Sequence, residues 1–211
     1  MTVFEVVLPN LKKDPVLLQE IAETLASGFV GLLREAGARN GQRGFIVTED
    51  GRDQKDEYRE ILLLEWPDAK HFQDFVASPG FAEFQGKLKS AAAGPPVLKV
   101  FDPTDDDVSA VFRSDDTVLE YLVVKPKDVS PASLQGLLEK VQTGLPRFGT
   151  AKVAVGSTVN LEAQEIGLLS LYASDAEFDA AKATTGRQQL LADIAAEADV
   201  TSLVAHVEKV I

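Results

Sequence analysis

Four acidic residues stand at matching places in two similar stretches, and they are the side chains best suited to chemistry. Glu5 lies in Thr2-Val-Phe-Glu-Val-Val7 and Glu120 in Thr117-Val-Leu-Glu-Tyr-Leu122. Glu60 opens Glu60-Ile-Leu-Leu-Leu-Glu-Trp66, and Glu165 opens Glu165-Ile-Gly-Leu-Leu-Ser-Leu-Tyr172. A carboxylate within an apolar strand is costly unless it is paired or protonated. Burial raises its pKa and turns it into a usable acid or base near neutral pH. The plainer reading is a polar face near strand ends, neutralised by a neighbour such as Arg43, Lys99 or Lys152. The candidate catalytic set is Glu60, Tyr58, Glu120, Tyr121 and His71. Glu5, Trp66, Phe75, Phe81, Glu165 and Tyr172 are the candidate substrate-binding residues.

His71 falls on the first turn of a helix, where Phe178 holds the matching place in the second stretch, so it reads first as an ordinary helix-surface residue. His206, in the last strand, reads as half-exposed. Two isolated histidines with no acidic cluster at ligand spacing give no expectation of a metal. The chain has no cysteine, which excludes disulfides, thiolate metal sites and a cysteine nucleophile. Gly37-x-x-x-Gly41 reads as a turn and matches neither phosphate-loop fingerprint. No Gly-x-Ser-x-Gly motif suggests covalent catalysis. No cofactor is expected. Trp66, Phe72, Phe75, Phe81 and Phe84 read first as core and second as an aromatic wall for a flat hydrophobic ligand.

The elements that must position these residues follow from periodicity. Residues 2–8 form a strand that stops at Pro9-Asn10. Asp14-Pro15 starts a helix, with Leu17, Leu18, Ile21, Leu25, Phe29, Leu32 and Leu33 on one stripe. Gly37 through Gly44 end it. Phe45–Thr48 is a short strand. Residues 49–56 are a polar turn, and Tyr58–Trp66 is a strand. Its core, Ile61–Leu64, is apolar without alternation, which suggests burial on both faces. Pro67-Asp68 starts a helix to about Ala77, Ser78-Pro79 restarts it, and Val97–Phe101 is a fourth strand. The same order returns after residue 116: a strand from Thr117, a helix capped by Ser130-Pro131, strands at Lys152–Val155 and Glu165–Tyr172, two helices, and a strand at Val200–Val207.

Each half therefore reads β-α-β-β-α-β, the ferredoxin-like order. The expected fold class is α+β: two ferredoxin-like repeats, residues 1–102 and 117–211, joined by an acidic linker at 103–116. Each repeat would leave one sheet face bare, and the simplest cover is the other repeat's sheet. The two would pack sheet to sheet as an intramolecular α/β barrel. Val108, Val111 and Phe112 interrupt the linker, so part of it is expected to pack on the body.

The chain of 211 residues carries a net charge of −12 with 45% apolar residues. Such acidity disfavours phosphate backbones and anionic lipid, so neither nucleic acid nor membrane is an expected partner. No apolar run approaches a membrane span, and the N-terminus reads as a strand rather than a signal peptide. A cytoplasmic protein is expected, either a monomer with an internal pseudo-dimer or a homodimer of such chains.

One segment resembles the dimeric α+β barrel superfamily, in its antibiotic-biosynthesis-monooxygenase and stress-responsive A/B-barrel branches. It is Glu65-Trp66-Pro-Asp-Ala-Lys-His71 followed by Ala77-Ser-Pro-Gly-Phe81-Ala-Glu-Phe84. The second half matches in order and spacing but lacks the Trp and the Ser-Pro. The resemblance implies two copies fused in one chain. It also implies a cofactor-independent small-molecule enzyme, of cyclase, isomerase or monooxygenase type, acting on a hydrophobic polyketide- or terpenoid-like metabolite in a barrel cleft. The alternatives it carries are a non-catalytic stress-response or ligand-binding barrel and, third, a haem-handling protein. The Tyr and His of the cyclase branch fall on Phe75 and Phe81, which cannot transfer a proton, so that dyad is absent.

Overall fold

The computed structural model describes residues 1–24, 28–104 and 108–211, with the backbone alone for 21–24. Leu25, the side chain of Ile21 and the acids at 105–107 lie outside the described residues.

In the first half, β1 (Val3–Leu8) is followed by α1 (Pro15–Thr24), α2 (Val30–Glu35), β2 (Asn40–Glu49), β3 (Arg52–Asp53), β4 (Glu60–Trp66), α3 (Ala69–Val76), α4 (Pro79–Leu88) and β5 (Val97–Pro103). A single helical turn, α5 (Ser109–Phe112), leads to β6 (Val118–Pro126), α6 (Pro131–Gly144), β7 (Lys152–Thr158), β8 (Ile166–Tyr172), α7 (Asp175–Lys182), α8 (Thr185–Glu197) and β9 (Ala198–Lys209). Side-chain caps start the helices where the sequence places them. Asp68 accepts from the His71 amide, Ser78 from Phe81 and Ser130 from Ser133. Each satisfies an orphan N–H at a helix start. Among the described residues no helix is long and apolar enough to cross a membrane.

The expected pair of ferredoxin-like sheets stacked face to face does not form. Eight strands join in one antiparallel sheet in the order β2-β4-β1-β5-β7-β8-β6-β9, and β9 returns to pair with β2. The barrel is closed by hydrogen bonds at both seams rather than by contact between two layers. Stacking two open sheets would leave four edges with unpaired N–H and C=O groups, and zipping the edges together satisfies them. The β2–β9 seam runs from Gln42↔Lys209 to Glu49↔Leu203, and the β5–β7 seam from Phe101↔Thr158 to Pro103↔Gly156.

Strand β2 also begins at Asn40, not Phe45. Its glycines read as a turn in isolation, but Gly44 is there for close approach. A Cβ on it would lie 1.9 Å from the His206 carbonyl oxygen on β9. Gly156 plays the same part at the other seam, where a Cβ would lie 2.4 Å from the Asp102 carbonyl oxygen. Gly44→Ala is therefore expected to lower Tm by about 5–10 °C, an overpacking cost converted for a chain of this size. Gly136→Ala, on α6 with nothing within 4 Å, is the control and should not fall. Equal Tm values for the two variants would show that the seam tolerates a side chain.

Alternation sends Phe4, Val6, Ile61, Leu63, Leu119 and Tyr121 into the barrel, where they form one apolar cluster. The lumen is completed by the segment before β6. Val108, Val111 and Phe112 are buried in that cluster. Ser109 Oγ donates to Glu65 Oε1 at 2.7 Å and Gln42 Nε2 to the Val111 carbonyl at 3.5 Å. The outer faces of β1, β4 and β5 pack on α2, α3 and α4. Those of β6, β7 and β8 pack on α6 and α8.

Candidate functional site

The side chains of β1 that do not enter the lumen face the helices. There they border a cavity of about 550 Å³, a size suited to a small organic molecule. Its floor is barrel wall: Glu5 and Val7 on β1, Leu62 and Leu64 on β4, Leu98 on β5 and Arg43 on β2. Its roof is largely aromatic, with Phe29 and Leu33 near α2, Phe75 on α3, and Phe81 and Phe84 on α4. Phe29 stacks on Phe84 at 4.1 Å, and Phe75 lies 4.9 Å from Phe81 and 5.4 Å from Trp66. The last strand reaches into the same wall through Glu208, and Val210 just beyond its end adds to it.

The four matched acids part company here. Glu60 takes a hydrogen bond from Arg43 Nη2 at 2.6 Å. Glu165 pairs with Lys99 at 2.5 Å and with Lys125 at 3.3 Å. Glu120 receives Arg187 Nη2 on both oxygens, at 2.5 and 2.6 Å, and Ser202 Oγ at 3.2 Å. Burial pushes the Glu120 carboxyl up, and the Arg187 charge opposes it. Glu5 alone among the four has no ion-pair partner among the described residues. It is 3% exposed and its Oε2 accepts from Trp66 Nε1 at 2.8 Å. Burial pushes its pKa up to about 7, with the Trp66 hydrogen bond pulling the other way. A carboxyl half-ionised near neutral pH, beside an apolar cavity, can take a proton from a bound molecule and give it back.

The structure thus gathers Glu5, Glu60, Phe75 and Phe81 around one cavity, with Trp66 buried behind the wall, bonded to Glu5 and packed on Phe75. The other candidates lie elsewhere. Tyr58 is exposed at the end of a short turn. Tyr121 is in the lumen with no partner for its hydroxyl, and burial raises its pKa. Tyr172 sits beside Phe178 at 5.4 Å on the outside of β8, its pKa pushed up to about 12 by burial. His71 is exposed, with Nδ1 2.8 Å from Asp68. His206 is exposed, with Nε2 2.9 Å from Asp175. In the second half, Leu137, Val141, Leu190 and Ile194 fill the space against the barrel wall. Arg187 lies over Phe148 at 5.1 Å and Phe178 at 5.7 Å.

Arg43 appears in the sequence only as one of three possible neutralising neighbours. The signal that could have placed it is its spacing from Gln42 and Gly44, which turn to the lumen side. Arg187, in Thr-Thr-Gly-Arg, carries no signal that separates it from a surface arginine.

Trp66→Phe removes the hydrogen bond that holds the Glu5 pKa down. The midpoint of Glu5 ionisation, followed by carbon-detected NMR of its carboxyl, is expected to move above about 7. An unmoved midpoint would show that Trp66 does not act on Glu5.

No protein-family profile matches the chain, and no curated protein matches its sequence. Solved structures do match it along nearly its whole length. A “putative monooxygenase” from Fusobacterium nucleatum aligns with TM-score 0.64 at 13% identity, covering 99% of this chain and 93% of that one. An anthrone oxidase-like protein aligns with TM-score 0.60 at 11% identity, covering 99% and 93%. A chlorite dismutase from Candidatus Nitrospira defluvii aligns with TM-score 0.58 at 13% identity, covering 99% and 92%. At these identities the likeness shows a shared fold alone, here a closed antiparallel barrel with helices packed on its outside.

The haem-handling reading does not fit the residues present. The described cavity wall carries no histidine, tyrosine or cysteine to ligate iron. Both imidazoles of the chain are exposed beside aspartates elsewhere. Among the described residues no cluster of three metal-ligating side chains exists.

Proposed function

We propose that this chain is a small-molecule oxygenase-type enzyme in which Glu5 is the base. The observation that carries the reading is the buried, unpaired carboxyl of Glu5 on the wall of a largely apolar cavity. The names of the structural neighbours, monooxygenase and anthrone oxidase-like, support it as analogy. The substrate is a flat, hydrophobic molecule with a CH₂ group made acidic by a conjugated carbonyl. Glu5 takes one proton and leaves a carbanion. The carbanion passes one electron to dioxygen, and the radical and superoxide combine into a C–O bond. The peroxide takes the proton back from Glu5. Loss of water with the remaining C–H hydrogen then leaves a new C=O. The sum is CH₂ plus O₂ giving C=O plus H₂O, with no cofactor required.

The paired places of Glu5 with Glu120 and Glu60 with Glu165 support descent from one duplicated half, residues 1–102 and 117–211, of which the first keeps an open cavity. The test uses anthrone as probe, with purified protein free of added metal or flavin. The expected result is one O₂ consumed for each anthraquinone formed, well above the buffer rate. No rate above buffer for anthrone or its hydroxylated relatives would overturn the oxygenase reading and leave a non-catalytic binding protein using the same cavity.

A further inference from the structure

Glu5 is not the only polar group on this apolar wall. The barrel pleat also turns Arg43 of β2 toward the cavity, directly across from Leu62 on β4 and Glu208 on β9. Leu62 in turn pairs with Val7, two residues from Glu5. Strand spacing therefore places the Arg43 and Glu5 backbones about 12 Å apart, two strands over and one side-chain row along. Both side chains border the same cavity. The Arg43 side chain is 21% exposed and that of Glu60 is 5% exposed. Glu60 is the one hydrogen-bond partner that Arg43 has among the described residues. A guanidinium has five N–H donors, so most of its capacity is unused by protein groups in a partly buried site. A pure hydrocarbon in the cavity would strip water from these donors and return nothing. A carboxylate ligand would compete with Glu60 and sit in the field of Glu5, Glu60 and Glu208. A neutral oxygen acceptor meets neither penalty.

We propose that Arg43 is the specificity-determining residue of this cavity: it donates to a neutral carbonyl or hydroxyl oxygen of the ligand and so sets which carbon faces Glu5. Glu60 is then a positioning residue that holds the guanidinium and cancels its charge. The inference rests on the cavity being the ligand site, but not on turnover.

The chain has one tryptophan, and Trp66 adjoins the site, so its fluorescence reports occupancy. Three tricyclic probes that do not react with oxygen separate the terms: anthraquinone, with carbonyl oxygens; anthracene, with none; and anthracene-9-carboxylate, an anion. Wild type is expected to bind anthraquinone about tenfold more tightly than anthracene, the size of one net hydrogen bond, and to bind the carboxylate most weakly. Arg43→Met should abolish the preference for anthraquinone and leave anthracene binding within about twofold. Arg43→Lys, which keeps a cation beside Glu60, should keep part of the preference and guards against a folding defect. Equal binding of anthracene and anthraquinone by wild type, or equal weakening of all probes in Arg43→Met, overturns the inference. A preserved preference without any oxygen uptake overturns the enzyme reading alone. No quenching by any probe overturns the cavity as a ligand site, and both readings fall together.

Discussion

Glu5→Gln is expected to cut turnover by about 10²–10⁴-fold, the usual worth of a positioned base, and to make the protein harder to unfold above neutral pH. The second effect follows from the sign of the pKa change. The Glu5 pKa is raised in the folded state from 4.5 to about 7. Between those values the folded protein keeps a proton that the unfolded chain has released, so stability falls as pH rises. The loss is complete above about pH 7 and amounts to about 3 kcal/mol, from the size of the shift at 1.36 kcal/mol for each pH unit. Glutamine carries no such penalty, and its carbonyl can still accept from Trp66. Urea unfolding should therefore show the variant more stable at pH 8 and level with wild type near pH 4. The wild-type rate should fall about tenfold per pH unit below about 7 and be flat above it. Equal stability gains at both pH values would mean that Glu5 is not the titrating group.

Arg187→Met is the largest expected loss of stability away from the cavity. Arg187 is 2% exposed and Glu120 also 2%. Removing the cation strands a carboxylate between buried Tyr172 and the first turn of α8. Breaking one partner of a buried pair costs about 3–5 kcal/mol, which in a chain of this length is a Tm drop of about 10 °C or more. The double variant Arg187→Met with Glu120→Leu removes both charges and should recover most of that loss. The single variant should also lose less at low pH, where Glu120 can take up a proton. A double variant no more stable than Arg187→Met would show that Arg187 acts through its stacking on Phe148 and Phe178 instead. The pair is remote from the Glu5 cavity, so the folded fraction should keep its activity.

Local signals account for what could be read in the sequence. Asp68, Ser78 and Ser130 announce helix starts by their own side-chain chemistry. Alternation around Phe4-Glu5-Val6 says that Glu5 faces opposite to its neighbours. The aromatic spacing of Phe75, Phe81 and Phe84 marks the roof of the cavity. What could not be read depends on contacts far apart in the chain. Gly44 is a turn residue until β9 arrives beside it, and only that pairing shows a closed barrel. Four matched glutamates look equivalent in sequence. Their difference lies in which cation each one meets: Arg43 is 17 residues from Glu60 and Arg187 is 67 from Glu120. No cation reaches Glu5 among the described residues, and that difference alone turns a repeated letter into a candidate base.

The turn carrying Val108, Val111 and Phe112 sits inside a wall whose final seam joins residues more than 150 positions apart, as in Thr48 with Val204. Loop-closure entropy makes such a distant pairing the costliest to form, so the expected order has the ribbon rolling around this segment and the terminal strand zipping onto the second one last. The connecting piece acts as a mandrel around which the ribbon rolls, so swapping it for a flexible polar tether would remove the form on which the cylinder is wound.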